Sequence, residues 1–342
     1  MTVSGGSPGD GAAVVLTVPV AAEGQRIDVF LAAHLGPACG ARDLVSRARA
    51  QKMIRAGLVR VDGLVAVRPS QQVRGGQAVA AVIPPPETTE AVAEPIALDV
   101  VYEDTYLVVV NKPRGMVVHP AAGHRGGTLV NALLAHCPEL AGDPDPIRPG
   151  IVHRLDKDTT GLLVVAKDSL TQARLQEQVK ERLVKRQYLA LVHGSPAGDE
   201  GEIEAAIGRS TRDRKRMAVV AHGGRPSLTR WARLGGYDGF TLLEVKPHTG
   251  RTHQIRVHLA HIGHPVAGDP VYGPHRAASR WPALRPLGGQ ALHAWKLGFA
   301  HPRTGEQIQA FAPPPADLLE VLRRLGGPPA ALAMPDAGGN TA

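Results

Sequence analysis

The chain has little with which to cross-link itself, hold a metal through thiolates, or build an aromatic core. Its 342 residues include two cysteines, Cys39 and Cys137, and aromatics make up only 4%. Two distant thiols give neither a disulfide framework nor a zinc site, which fits a reducing cytoplasm. The core must be mainly aliphatic. Long apolar runs are also missing. The stretch from Ala12 to Ala22 is too short to span a bilayer and lacks the basic lead of a signal peptide, so it reads as a strand. No P-loop glycine–lysine pattern, dinucleotide fingerprint, GxSxG elbow or HExxH helix is present. These absences leave no sign of ATP, nicotinamide or metal-hydroxide chemistry. They point to a redox-neutral reaction run by side chains, with no cofactor.

What is present is a globular composition, with 43% apolar and 20% charged residues, and a length suited to about two domains. The formal charge of +8 favours a polyanionic partner. Residues 1–11 are small, polar and Gly-rich, and disorder is expected over 1–15. A first domain is expected over 16–83. Within it Ile27, Phe30, Leu31 and Leu35 share one helical face, and a second helix runs from about Arg42 to Ala56. The outer face of that helix carries Arg42, Arg47, Arg49, Lys52 and Arg55. It reads either as a solvated face or as a phosphate contact that displaces counterions. Residues 84–95, rich in Pro and Glu, form a linker. A second domain spans 96–325, and a Gly/Pro/Ala tail, 326–342, is expected to be disordered. Many short strands with few helices indicate an α+β fold: a mixed, mainly antiparallel sheet domain preceded by a small α/β domain.

The second domain is organised around Ile151 to Lys167, IVHRLDKDTTGLLVVAK. Apolar runs flanking Asp, Thr and Gly read as strand, tight loop, strand. Asp156 is then placed at a strand end near a core, where a carboxylate must be paired or hydrogen-bonded. Asp168 or Ser169 caps a helix through about Leu183. Five histidines between His248 and His264 form a loose cluster without a metal-ligand spacing, and no metal is expected. His261-Ile262-Gly263-His264 resembles the HIGH signature of class I aminoacyl-tRNA synthetases. That signature opens a helix, whereas this one closes a helix and runs into Pro265, and no KMSKS-like loop follows.

Two family resemblances extend this reading. Arg26-Ile27-Asp28, Ser46-Arg47, the run Ile54 to Val59 and Val61-Asp62-Gly63 resemble the S-four-like RNA-binding module. His153 to Lys167 resembles the signature of the large-subunit ribosomal RNA pseudouridine synthases of the Rlu type. So do Asn111 to Met116, Arg186-Gln187-Tyr188, Gly250 to Arg256 and Gly268-Asp269-Pro270. The resemblance implies a pseudouridine synthase fold and isomerisation of uridine within RNA, most directly large-subunit ribosomal RNA. It implies that Asp156 attacks carbon 1′ as a nucleophile or takes a proton from carbon 2′; either role needs an ionised carboxylate. Arg256 is the implied partner orienting it bidentately. Tyr188 is implied to stack on uracil and relay the carbon 5 proton. Arg154 either fills the vacated base stack or touches phosphate, and His153, Arg251, Arg47, Arg49 and Lys52 are further expected RNA contacts. The expectation is a cytoplasmic monomer; the rival reading is a catalytically inert RNA-binding or ribosome-assembly protein.

Overall fold

The computed structural model describes residues 3–4, 12–38, 46–83, 91–120, 124, 126–143, 145, 147–211, 213, 216–274 and 280–332. The chain divides into two compact units, Met1–Thr88 and Thr89–Ala342. Among the described residues no helix is long and apolar enough to cross a membrane.

The first unit contains strands β1 (Val3–Ser4) and β2 (Ala12–Thr17), then helices α1 (Ile27–Ala38) and α2 (Arg47–Arg55). Strands β3 (Val59–Val61), β4 (Leu64–Val65) and β5 (Ala78–Ile83) follow. They form one antiparallel sheet in the order β1-β2-β5-β3-β4. Alternation drives the sheet: Val14 and Leu16 on β2, and Val79 and Ala81 on β5, are buried against Ile27, Phe30, Leu31 and Ile54 of the helices. Each such aliphatic side chain contributes roughly 1.5–3 kcal/mol on burial. Strand β2 corrects the expectation of disorder up to residue 15, because the inward alternation already begins there; residues 5–11 lie outside the described residues. The same holds for 42–45 at the start of the expected second helix. The described helix begins at Arg47 behind Ser46, whose hydroxyl accepts from the Arg49 amide.

Among the described residues the second unit is built on a sheet of nine strands. In chain order these are β6 (Val100–Glu103), β7 (Leu107–Lys112), β8 (Thr160–Ala166), β9 (Lys185–His193) and β10 (Glu200–Glu204). A small separate pair, β11 (Ile207–Arg209) and β12 (Met217–Val219), precedes β13 (Leu228–Tyr237), β14 (Phe240–Pro247), β15 (Leu292–Ala300) and β16 (Gln307–Phe311). The sheet order is β10-β13-β14-β9-β15-β8-β7-β6, with β16 also on β15. Every pairing is antiparallel except β15 with β8, which run parallel through His293–Thr160 and Ala294–Gly161. At that junction Gly161 has φ +109°, and a Cβ there would lie 2.2 Å from the Ala294 carbonyl oxygen. Only glycine permits this approach. The fully buried run β8 reads as continuous apolar sequence because both of its faces are covered.

Helices that flank the sheet include α3 (Leu129–His136), α4 (Ser169–Lys180), α5 (Gln254–His261) and α6 (Ala316–Arg324). Asp168 caps α4, accepting from the Leu170 and Thr171 amides at 3.0 and 2.9 Å. That helix stops at Lys180, short of the expected Leu183, because Arg182 turns left-handed at φ +62°. Of the expected linker, 84–90 lie outside the described residues, while Glu94 and Val92 are already hydrogen-bonded to Asn131 of α3. Of the expected tail, 333–342 lie outside the described residues, and Leu332 is buried in the core with Leu318 and Leu322 of α6. The ordered unit therefore reaches beyond the expected limits at both ends, because short apolar and amide contacts anchor them.

Candidate active site

Asp156 lies on the loop between Ile151, which bridges to Val165, and β8. Three of the loop's groups are held by side chains from elsewhere. Lys112, fully buried at the end of β7, donates through Nζ to the carbonyls of Pro113, Met116 and Lys157 at 2.9, 2.9 and 3.0 Å. Burial pushes this ammonium down to about 7, against the pull of the nearby Asp158 charge. Arg114 Nη1 donates to the Asp158 carbonyl at 2.5 Å, while its Nε donates to Asp317 of α6 at 2.6 Å. Gln290 donates to the Thr159 hydroxyl at 3.1 Å, and the Thr159 amide closes a turn on the Asp156 carbonyl. The loop bearing Asp156 is therefore clamped rather than free.

Arg256 meets Asp156 from α5. Its Nη1 donates to Asp156 Oδ2 at 2.9 Å; the arginine is 4% exposed and the aspartate 18%. The expectation that Arg256 would grip Asp156 bidentately is corrected. Its fork, Nε and Nη2, closes on Asp269 at 2.7 and 2.8 Å. Asp269 has no exposed side-chain surface and needs both bonds, along with the Val271 and Tyr272 amides at 2.8 and 3.0 Å. Burial works against the Asp269 charge, yet Arg256 and those amides hold its carboxyl below the usual range. Burial likewise opposes the Arg256 cation, but Asp269 and then Asp156 outweigh it and raise its pKa. The Tyr272 ring covers the guanidinium, 5.1 Å from ring centre to Cζ. His253, left-handed at φ +57° at the start of α5, is 2.9 Å from the Tyr272 hydroxyl and 3.9 Å from Asp156. Burial lowers its pKa, so the imidazole is neutral near pH 7 and Arg256 is the cation at Asp156. Gln254 fixes the preceding loop, accepting from the Thr249 hydroxyl and the Arg251 amide.

A cavity of about 580 Å³ opens over this group. Asp156, Tyr188, Arg256, His153, Arg154 and Arg251 all line it, so six expected site residues come together. Tyr188 sits on β9 between Val245 of β14 and Ala294 of β15. Burial and then the Asp156 charge raise its pKa against Arg186, keeping the phenol neutral. Arg154 is exposed. His153 is buried: its Nε2 accepts from the Val164 amide at 3.3 Å, ending the bridge beside β8. Burial and then Arg186 push its pKa down to about 3. Arg47, Arg49 and Lys52 belong to the first unit, on α2, where Arg47 Nε donates to buried Asp28 at 2.9 Å. The tetrapeptide at His261–His264 closes α5, and Gly263 turns at φ +85°. Among the described residues one group, Glu103, His136 and Cys137, has metal-ligand types close together. Lys167 at 2.6 Å and His136 at 2.9 Å already occupy the Glu103 oxygens, so it closes as an ion pair.

A family model described as RNA pseudouridylate synthase matches residues 106–261, and one described as S4 domain matches 25–79. An RNA pseudouridine synthase of Bacillus subtilis, YlyB, is 46% identical over 88% of this chain and 94% of its own length. The chain belongs to the RNA pseudouridylate synthase family. As such a synthase it isomerises uridine to pseudouridine in RNA. A ribosomal large subunit pseudouridine synthase D from Neisseria meningitidis is 47% identical, over 91% of this synthase and 82% of that one. The solved structure of human RNA pseudouridylate synthase domain containing 4 is similar at a TM-score of 0.52 and 26% identity. It covers 66% of this synthase and 92% of that chain. Sequence reasoning gave no role to Asp269, Tyr272, Lys112 or Arg114, although the first, third and fourth stand in quoted motifs. Asp156 was already the acid expected at Arg256, so nothing in the sequence called for a second one.

Proposed function

We propose that Asp156 is the residue through which this synthase breaks the glycosidic bond, and that its target uridines lie in large-subunit ribosomal RNA. The observation that carries the first statement is the chain Asp269–Arg256–Asp156, which ends on a partly exposed carboxylate at a cavity wall. The target uridine leaves its stack, which takes a few kcal/mol of unstacking. Its ribose meets Asp156, which either attacks carbon 1′ or takes the carbon 2′ proton. The bond from nitrogen 1 to carbon 1′ breaks, uracil turns, and carbon 5 bonds to carbon 1′. Carbon 5 loses a proton, nitrogen 1 gains one, and Asp156 is returned unchanged. Tyr188, a neutral phenol, stacks on the base and passes the carbon 5 proton. Arg154, exposed beside Asp156, fills the vacated stack or touches phosphate. The first unit, through Arg47, Arg49 and Lys52, adds phosphate contacts. The Neisseria meningitidis relative's name supports the ribosomal target. In this reading the enzyme works in the cytoplasm as a monomer.

Tritium release from carbon-5-labelled uridine in transcribed RNA tests the chemistry. Wild type releases label, and Asp156→Asn falls by on the order of 10³-fold or more with RNA affinity held. Activity surviving in that variant removes Asp156 from its role. Pseudouridine mapping in cells lacking the protein tests the target. Sites lost only from transfer RNA would overturn the ribosomal assignment.

A further inference from the structure

Two arginines in the same cavity have no role in the chain of charges just described. Arg186 is on β9, two residues before Tyr188, and therefore on the same face of the strand. Arg251 is on the loop leading into α5. Both line the cavity, and the Nε of each is sealed from solvent with no hydrogen-bond partner. Among the described residues neither has a carboxylate within ion-pair distance. The acids lining the cavity are already engaged. Asp156 is held by Arg256, Asp145 by Arg148 at 3.0 Å, and Asp143 accepts from the Asp145 and Gly150 amides at 2.8 and 2.9 Å. Gly250 lies against Arg186: a Cβ there would stand 3.4 Å from Nη1 and 3.8 Å from Nη2. The Arg186 guanidinium is thus within van der Waals reach of the residue that precedes Arg251 in the chain.

A desolvated guanidinium edge without a counter-charge is unfavourable until an anion arrives. The fork of arginine matches the paired oxygens of a phosphodiester. A nucleotide whose sugar meets Asp156 and whose base meets Tyr188 must bring its own phosphates to the cavity wall. We propose that Arg186 and Arg251 together bind one phosphodiester flanking the target uridine. This rests on the reading that a nucleotide of the RNA enters the cavity. The contact fixes the ribose against Asp156 and makes Arg186 a binding residue of the reaction.

The test is a double-perturbation cycle on affinity. It uses a synthetic stem-loop of large-subunit ribosomal RNA with one candidate uridine in its loop, with either phosphate flanking that uridine replaced by neutral methylphosphonate. Affinities are measured in full-length Asp156→Asn protein, so turnover does not enter. One of the two replacements should weaken binding by about tenfold or more. With Arg186→Gln or Arg251→Gln added, the same replacement should have no further effect. Penalties that multiply in both variants overturn the proposal. Arg251→Gln changes a loop residue and decides the matter alone should Arg186→Gln melt early. Arg186→Lys, which keeps the charge but not the fork, should recover only part of the affinity; full recovery overturns the bidentate contact. Binding that follows the cycle while wild type leaves the uridine unchanged would sink the functional reading and leave the phosphate site standing.

Discussion

The two units each bury one aspartate completely and load it with arginine, yet they turn opposite charges outward. In the first unit Asp28 is inaccessible and accepts from Arg26, Arg47 and Gln51 at 3.0, 2.9 and 2.7 Å. Its two arginines remain 43% and 53% exposed. In the second unit Asp269 is just as inaccessible, but Arg256 is buried with it and hands its third nitrogen to Asp156. One arrangement ends on cations and the other on an anion. A buried carboxylate needs a cation in either case. The number of links before solvent decides which sign is presented: one link suits phosphate, two suit the sugar of a nucleotide.

The comparison breaks most severely at its shared joint. Arg256→Met leaves Asp156 and Asp269 both without a cation. Turnover should fall by on the order of 10³-fold and stability by roughly 3–5 kcal/mol, read by tritium release and chemical denaturation. A variant that keeps both would show that the chain of charges is incidental. Next comes the clamp, which the first unit has no need of. Lys112→Met orphans three carbonyls, should destabilise by on the order of 3 kcal/mol, and should slow chemistry while RNA affinity is held. Unchanged stability would mean the carbonyls find other donors.

Acid sharpens the contrast further. Burial holds His153 and His293 neutral in the folded state, with values pushed down to about 3 and about 4 from an ordinary 6.5. Their folded pKa values lie below the unfolded ones, so the unfolded chain binds more protons between them. Their contribution is complete above about pH 6.5 and is lost as pH falls, by up to about 2.7 kcal/mol per pH unit for the pair. The described residues of the first unit bury no histidine. Titration followed unit by unit should therefore melt the second unit at a higher pH than the first; coincident transitions contradict this. The smallest effect concerns the outward cations. Arg47, Arg49 and Lys52 changed together to Gln should weaken RNA binding several-fold and flatten the log–log salt slope by up to about 2. An unaltered slope would show that α2 does not touch phosphate.

Much of this was legible in the sequence. The apolar runs around His153–Thr159 gave the loop that holds Asp156 and the strand β8 after it, whereas the strand expected before it is a single bridge from Ile151 to Val165; Asp168 announced the start of α4. Helix α6 was not read, although Leu318, Val321 and Leu322 lie at helical spacing, because it is short and follows a Pro-rich strand end. The cavity group itself was only half legible. Asp156 and Arg256 stand 100 positions apart, and periodicity does not bring such residues together; the family motif did. Asp269 stayed unread because a Gly-Asp-Pro turn looks the same whether its acid faces water or a guanidinium. Lys112 stayed unread because a lysine ending an apolar strand ordinarily reaches solvent, and only the fold shows three carbonyls closing around it.

The most direct test sets the two buried aspartates side by side. Single-turnover tritium release and RNA affinity are measured for Asp269→Asn and Asp28→Asn, each checked for folding by its melting curve. Asp269→Asn should slow the chemical step at saturating RNA with affinity held, and Asp28→Asn should weaken binding with the saturated rate held. The reverse pattern, or two variants that fail in the same way, would contradict the division of labour between the units.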